Sequence, residues 1–185
     1  DFTASDIYFH DEVYDFDMDG MQIHSTARSP YNIYNTLSAY AALCAMDADK
    51  THFQEMIENF DYGNNRESIF TIHNARVQLH LAKNPIGFQQ KISLVLKDPA
   101  PKDIIIQIND TYQDGEDVSW LWDVDFQYLA DANAATITTN GTRRHDMGLR
   151  LKYEDIPCES TTDMEATIEH LTKNGTKNLY VIVNY

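Results

Sequence analysis

The residues best placed to do chemistry lie between Asn109 and Asp125. Asp110, Asp114 and Glu116, with Gly115, precede Asp117, and Asp123 and Asp125 follow among two tryptophans. This acid-rich stretch comes straight after Ile104-Ile105-Ile106 and Ile108, which read as a short strand buried in the middle of a parallel sheet. Open α/β sheets bind ligands beyond the carboxyl ends of their strands, so the loop is a candidate site. The plainer alternative is a solvated loop that caps a helix running to about Ala130, with Asp117 as its N-cap.

Other groups invite weaker readings. Arg143-Arg144-His145-Asp146 lies just beyond a strand at Ala135 to Thr138 and can bind an anion or pair with the acidic loop, pairing being the simpler. Lys83 and Asn84 end a strand ahead of Pro85, where a phosphate or carboxylate can sit at a helix N-terminus, or the turn is only a surface turn. Asn32 and Asn35 fall in the first turn of a helix and either cap it or aim amides at a ligand. Asp15, Asp17 and Asp19 lack the downstream bidentate glutamate of a calcium loop. Cys44 sits on an apolar helix face, Cys158 in a turn without an activating neighbour, and no His/Cys cluster has zinc spacing, so no metal site is expected. No phosphate loop, GxGxxG or GxSxG elbow is present. A self-contained enzyme is therefore not expected.

The elements that must position these groups follow from periodicity. Asp19-Gly20 predicts a hairpin between residues 7–18 and 21–26. A helix after Ser29-Pro30 places Leu37, Ala41 and Cys44 on one face with Tyr34 and Tyr40 beside it, and a second buries Phe53, Ile57 and Phe60. Asp61 to Arg66 reads as a linker and domain boundary. Strands at 69–72 and 77–81 precede a helix lined by Phe88, Ile92, Val95 and Leu96. Met147, Leu149 and Leu151 have mixed spacing. Thr162 and Glu165 read as a capping box, Asn174-Gly175 as its helix end, and Leu179 to Val183 as a last buried strand. Strands alternating with helices predict a mostly parallel sheet covered on both faces.

The totals narrow the class. In 185 residues, 14 basic side chains face 29 acidic ones, a formal charge of −15, which argues against nucleic acid and anionic membranes. Hydrophobic residues make up 43%, enough for a real core, yet no run can span a bilayer. Two distant cysteines fit a reducing cytosol. The chain lacks an initial Met and a signal peptide, which suggests an excised piece or a processed subunit. Three glycosylation sequons, at Asn109, Asn140 and Asn174, are read as chance.

Several segments together resemble one family. YNIYNTLSAYAA (Tyr31 to Ala42), NNRESIF around Arg66, LAKNPIGFQQ (Leu81 to Gln90), INDTYQDGEDVSWLWDVDF (Ile108 to Phe126), TNGTRRHDMGLRLKYEDI (Thr139 to Ile156) and LYVIVNY at the end are similar to the C-terminal part of the Mur-ligase-like subunit of lipid II isoglutaminyl synthases, the MurT family. The resemblance covers most of the chain from about Gln22. It implies a Mur ligase C-terminal, Rossmann-like α/β domain over 61–185, preceded by the tail of a central ATP-binding domain over 1–60. It implies a cytoplasmic ligase of peptidoglycan biosynthesis that uses ATP and Mg2+, with a zinc ribbon upstream of this chain. The implied partner is a GatD-type glutamine amidotransferase in a heterodimer. That partner's Cys–His pair frees ammonia, which amidates the D-glutamate α-carboxyl of the lipid II stem peptide after ATP activates it. By the same resemblance an Asp of this domain completes the partner's triad: Asp117 first, Asp123 second. Asn32 and Asn35 match a segment near the adenine, Arg66 the interdomain hinge, and Lys83 and Asn84 a turn facing the ATP cleft. Ser29-Pro30 and Asn65 stand where the family usually has glycine, and the fragment alone is expected to be inactive. A non-catalytic protein-binding module, or another ATP-dependent amide ligase of this fold, are the alternatives.

Overall fold

Ile104, Ile105 and Ile106 are each fully buried, in a strand that has a parallel neighbour on either side. That strand belongs to a computed structural model that describes residues 2–11, 13–27, 30–60, 67–112 and 115–184, with the side chain of Glu67 excluded. The chain forms two compact units, Asp1–Asn64 and Asn65–Tyr185. Residues 61–66, where the sequence boundary falls, lie outside the described residues.

In the first unit, β1 (Ala4–His10), β2 (Val13–Met18) and β3 (Met21–His24) form an antiparallel sheet in that order. Asp19 and Gly20 both have left-handed backbone, at φ 48° and 78°, and Met18 faces Met21 across them. Such a pair of residues matches the twist of the flanking strands. The stretch predicted as one strand over 7–18 is two, because the chain reverses at Asp11, φ 47°. Helix α1 (Tyr31–Ala45) buries Asn32, Ile33, Thr36 and Tyr40, so its inner face is turned from the predicted one. Tyr34 is exposed, while Leu37 and Cys44 are only partly covered. Tyr40 takes the core position because its ring packs 5.0 Å from Phe53 while its hydroxyl donates to Asp19. In α2 (Phe53–Glu58) Phe53 is buried, but Phe60 lies past the helix end and is exposed.

On this sheet His10 Nε2 and His24 Nδ1 both meet Asp15 Oδ2 at 2.9 Å. The hydrogen bonds from Asp15 raise both rings above their ordinary value of 6.5. Burial pushes the Asp15 carboxyl up, and the two imidazoles outweigh it, leaving it lowered. The raised histidines stabilise the sheet fully below the unfolded value, and that contribution is lost as pH rises through the folded ones. The lowered aspartate acts the other way, losing its contribution as pH falls through its folded value. The bridge is therefore strongest between the carboxylate and histidine ranges. In an NMR titration Asp15→Asn should return both rings toward the ordinary value; unchanged titrations would sink this account.

The second unit is a six-stranded sheet of order β4-β5-β9-β6-β7-β8. The strands are β4 (Glu67–Ile72), β5 (Ala75–Leu81), β6 (Lys102–Gln107), β7 (Ala134–Asn140), β8 (Glu159–Ser160) and β9 (Asn178–Val183). Only the β4–β5 hairpin is antiparallel. Alternation along β6 sorts the layers. Ile104, Ile106 and Ile108 join Phe88, Ile92 and Val95 of α3 (Pro85–Lys97) and Met147 and Leu151 of α4 (Arg144–Lys152). Ile105 faces the other way, clustering with Val77, Leu179 and Val181 and with Met164, Ile168 and Leu171 of α5 (Met164–Lys173). Helices thus cover both faces, as predicted. Burying each isoleucine contributes about 1.5–3 kcal/mol.

Two local expectations change, and one segment that the spacing left unassigned takes its form. No α-helix follows Asp117; two 3₁₀ turns, Ser119–Asp123 and Phe126–Asp131, run there instead. Residues 144–152 are helical although their apolar spacing is mixed, because Arg150 shares the buried face with Met147 and Leu151. The cap of α5 is Asp163, whose carboxylate accepts from Ala166 N–H at 2.9 Å, not Thr162. The helix end at Asn174-Gly175 is as expected, with Thr176 N–H returning to Leu171 O. Among the described residues no helix is long and apolar enough to cross a membrane.

Candidate functional site

Parallel strands β5, β9, β6 and β7 end at one edge of the sheet, and each runs on into polar residues: Lys83-Asn84, Asn184, Asn109-Asp110 and Thr142-Arg143. Asn184 is 2% exposed and joins two of these ends. Its Oδ1 accepts from Asn109 N–H at 2.8 Å, and its Nδ2 donates to Asn109 O at 2.7 Å. Asn109 Oδ1 in turn accepts from Thr142 N–H at 3.1 Å. Gly141, φ 92°, lets the β7 end approach so closely that an added Cβ would stand 2.3 Å from Ile108 O.

Asp110 lies within this lattice. Thr142 Oγ1 donates to one carboxylate oxygen and Arg143 Nε to the other, each at 2.7 Å. Arg143 Nη1 also reaches Asp146 Oδ2 at 3.3 Å. The Thr142 hydrogen bond, joined by the Arg143 charge, outweighs desolvation and holds the Asp110 carboxyl below the usual carboxylate range. Of the two readings offered for the basic cluster, the structure displays pairing with the acidic loop.

Asp117 and Asp123 are exposed and sit at the two ends of one short segment. Asp117 Oδ1 accepts from Ser119 N–H at 2.8 Å, a local turn that starts the first 3₁₀ turn in place of a helix cap. That backbone bond, with the Ser119 side chain, lowers the Asp117 carboxyl. Trp122, next to Asp123, is half exposed and packs edge-on against Tyr153 at 5.2 Å. A 3₁₀ segment leaves main-chain carbonyls to be satisfied from outside. Arg150 does this: Nε donates to Leu121 O at 3.2 Å and Nη2 to Val124 O at 2.9 Å. Its side chain is 7% exposed and pairs with Glu154, and its guanidinium lies 5.3 Å from the Trp122 ring. Asp114 falls outside the described residues.

The remaining candidates are dispersed. Asn84 caps α3, accepting from Gly87 N–H at 2.8 Å, and Lys83 is exposed beside it. Asn32 and Asn35 belong to the first unit, where Asn35 Nδ2 donates to Asn32 Oδ1 at 3.2 Å. Arg66 lies outside the described residues. Burial pushes the Cys158 thiol up, which disfavours the nucleophilic thiolate. Among the described residues no group of three or more His, Cys, Asp or Glu is arranged to hold a metal ion. Thr142, Arg150 and Asn184 build the site although none stood out in the sequence as a candidate. The available signal was a polar residue directly following, or embedded in, a strongly apolar run.

Residues 81–185 match the family model described as MurT ligase C-terminal. The subunit MurT of lipid II isoglutaminyl synthase (glutamine-hydrolyzing) from Streptococcus pneumoniae (strain ATCC BAA-255 / R6) is 29% identical over 173 residues, covering 92% of this chain and 39% of that protein. The same-named subunit from Staphylococcus aureus (strain COL) is 30% identical over 147 residues, 80% of this chain and 32% of its own. This chain thus spans well under half the length of either relative. Among solved structures, a UDP-N-acetylmuramoylalanyl-D-glutamyl-2,6-diaminopimelate--D-alanyl-D-alanyl ligase from Acinetobacter baumannii aligns over 99% of this chain and 41% of its own, with a TM-score of 0.72 and 14% identity. At that identity the likeness establishes a Mur ligase fold and nothing finer.

Proposed function

The chain belongs to the MurT ligase C-terminal family, and from that premise we propose that it serves in the ATP- and glutamine-dependent amidation of D-glutamate in the lipid II stem peptide. In this reading it acts in the cytoplasm within a MurT-type subunit, beside a GatD-type glutamine amidotransferase that hydrolyses glutamine. The curated relatives are named for a glutamine-hydrolysing synthase that acts on lipid II, which supports the reading. The observation that supports it is the pair of exposed carboxylates, Asp117 and Asp123, on a segment fastened to α4 through Arg150. Asp117 would accept the imidazole N–H of the partner's catalytic histidine. A carboxylate so placed orients the base and stabilises its charged form. Asp117 is suited to this because its carboxyl is lowered by Ser119 of its own chain and remains exposed.

A second carboxylate competes for the role on one observation. Asp110 stands at the end of the central strand and is aimed by both Thr142 and Arg143. ATP is a substrate in this scheme, and the positions of this chain that match the family's ATP-contacting segments are Asn32, Asn35, Arg66, Lys83 and Asn84. The Asn84 carbonyl oxygen already caps α3, so contact there falls to its amide N–H or to Lys83. Residues 1–60 would be the tail of the central ATP-binding domain and 61–185 the C-terminal domain. The test is glutamine hydrolysis by the partner alone and with the full-length parent of this chain. The parent should raise the rate, and Asp117→Asn should remove the gain. If Asp117→Asn retains it, Asp123→Asn and Asp110→Asn decide the carboxylate. A parent without effect would leave a docking module or a different amide ligase.

A further inference from the structure

We propose that Arg150 is the positioning residue of the exposed segment 117–124, presenting Trp122 and Asp123 to the partner in one fixed geometry. The inference rests on the reading of that segment as the part of the glutaminase site contributed by this chain. Two motifs far apart in sequence meet at this side chain: Asp117 to Phe126, and Asp146 to Tyr153, which covers most of α4 and its C-cap.

The physical need is set by the backbone. Within the segment, Ser119 N–H is tied to Asp117 and Leu121 N–H to Val118 O, which fixes its start. Its far end runs into a second short 3₁₀ turn, with Phe126 N–H on Val124 O, and not into an α-helix. The Leu121 and Val124 carbonyls flank Trp122 and Asp123, and both accept from the same guanidinium. That guanidinium also lies against the Trp122 and Phe126 rings, at 5.3 and 5.5 Å. Tyr153, which caps the end of the same helix with its N–H on Leu149 O, packs edge-on against Trp122. A planar donor set reaching two carbonyls and an aromatic face at once is available to arginine and not to lysine. Arg150 is nearly buried, so it touches no partner atom and works only through the segment it holds.

The experiment uses the full-length parent with its amidotransferase partner, as Arg150→Lys and Arg150→Met. Amide exchange across residues 119–126 reads the clamp directly. It should quicken by about tenfold or more in Arg150→Met, with the sheet amides still protected. Partner glutaminase should keep its KM for glutamine while kcat falls on the order of tenfold to a hundredfold. Arg150→Lys, which keeps the charge and one carbonyl bond, should recover part of both losses and remains informative if Arg150→Met does not fold. Unchanged exchange in both variants overturns the proposal. Faster exchange with unchanged kcat also overturns it, and does so without harming the functional reading if Asp117→Asn or Asp123→Asn still lowers kcat. If neither aspartate variant alters hydrolysis, the functional reading itself fails, and the two failures are told apart.

Discussion

Gly141→Ala is expected to unfold the C-terminal unit or to destabilise it by roughly 3–5 kcal/mol. Two independent costs coincide at this position. The backbone lies at φ 92°, which an L side chain rarely adopts, and the new methyl would sit 2.3 Å from Ile108 O and 2.8 Å from Asn109 Oδ1. Ile108 O cannot retreat, because it accepts from Arg143 N–H and Ile108 itself is fully buried at the end of the central strand. Relief would have to come from parting the ends of β6 and β7, which breaks the Asn109–Thr142 and Asp110–Thr142 bonds. Gly175→Ala is the control. Its φ is 110° but nothing lies within 4 Å of the added carbon, so only the backbone cost of about 1 kcal/mol remains. Denaturant unfolding of the two variants separates the cases. Equal losses would mean that the two strand ends do not interlock.

The second large effect is on chemistry. Asp117→Asn in the full-length parent is expected to reduce partner-stimulated glutamine hydrolysis on the order of 10³- to 10⁴-fold, the cost of losing a triad carboxylate. The substitution keeps the shape and the carbonyl oxygen that Ser119 N–H needs, so the fold should be unchanged within about 0.5 kcal/mol. Asp110→Asn differs. It leaves Arg143 without its closest counter-charge and Thr142 without a charged acceptor, so stability and activity should fall together. A loss of rate with thermal stability intact therefore marks the catalytic carboxylate, and a joint loss marks a supporting one. Should Asp117→Asn be fully active and Asp123→Asn inactive, the carboxylate is Asp123.

The parts of the fold that read cleanly from sequence are those where one physical demand rules. Ile104 to Ile106 are apolar on both faces because both faces are covered, and only a central strand has that environment. Asp19-Gly20 and Asn84-Pro85 announce a turn and a helix start through backbone chemistry alone. The parts that misread are those where a polar side chain holds a core place. Arg150 interrupts the apolar stripe of α4, so the helix is hidden from periodicity, and its real signature is the bonds it makes to a distant segment. The same segment resembles a helix in sequence, yet the Asp117 side chain gives its backbone a competing local turn. Tyr34 and Tyr40, alike beside the apolar face in sequence, part in the structure: Tyr40 is buried, with Asp19 as a partner for its hydroxyl, and Tyr34 is exposed. At the site, the carboxylates were visible as residue types. Their sorting into tied Asp110 and exposed Asp117 and Asp123 was not, since it depends on Thr142 and Arg143 arriving from the next strand.

The place of β9 between β5 and β6 has a consequence for how the molecule comes into being. Every other strand of the sheet precedes it along the chain, yet without it β4 and β5 share no ladder with β6, β7 and β8. During vectorial synthesis the two halves emerge first, each with a naked hydrogen-bonding edge, and wait for residues 178–183 to leave the ribosome. Closing a sheet through its latest strand is a long-range step, and such topologies fold slowly. In that interval the open edges of β5 and β6 are the natural targets of chaperones or of mispairing with another nascent chain.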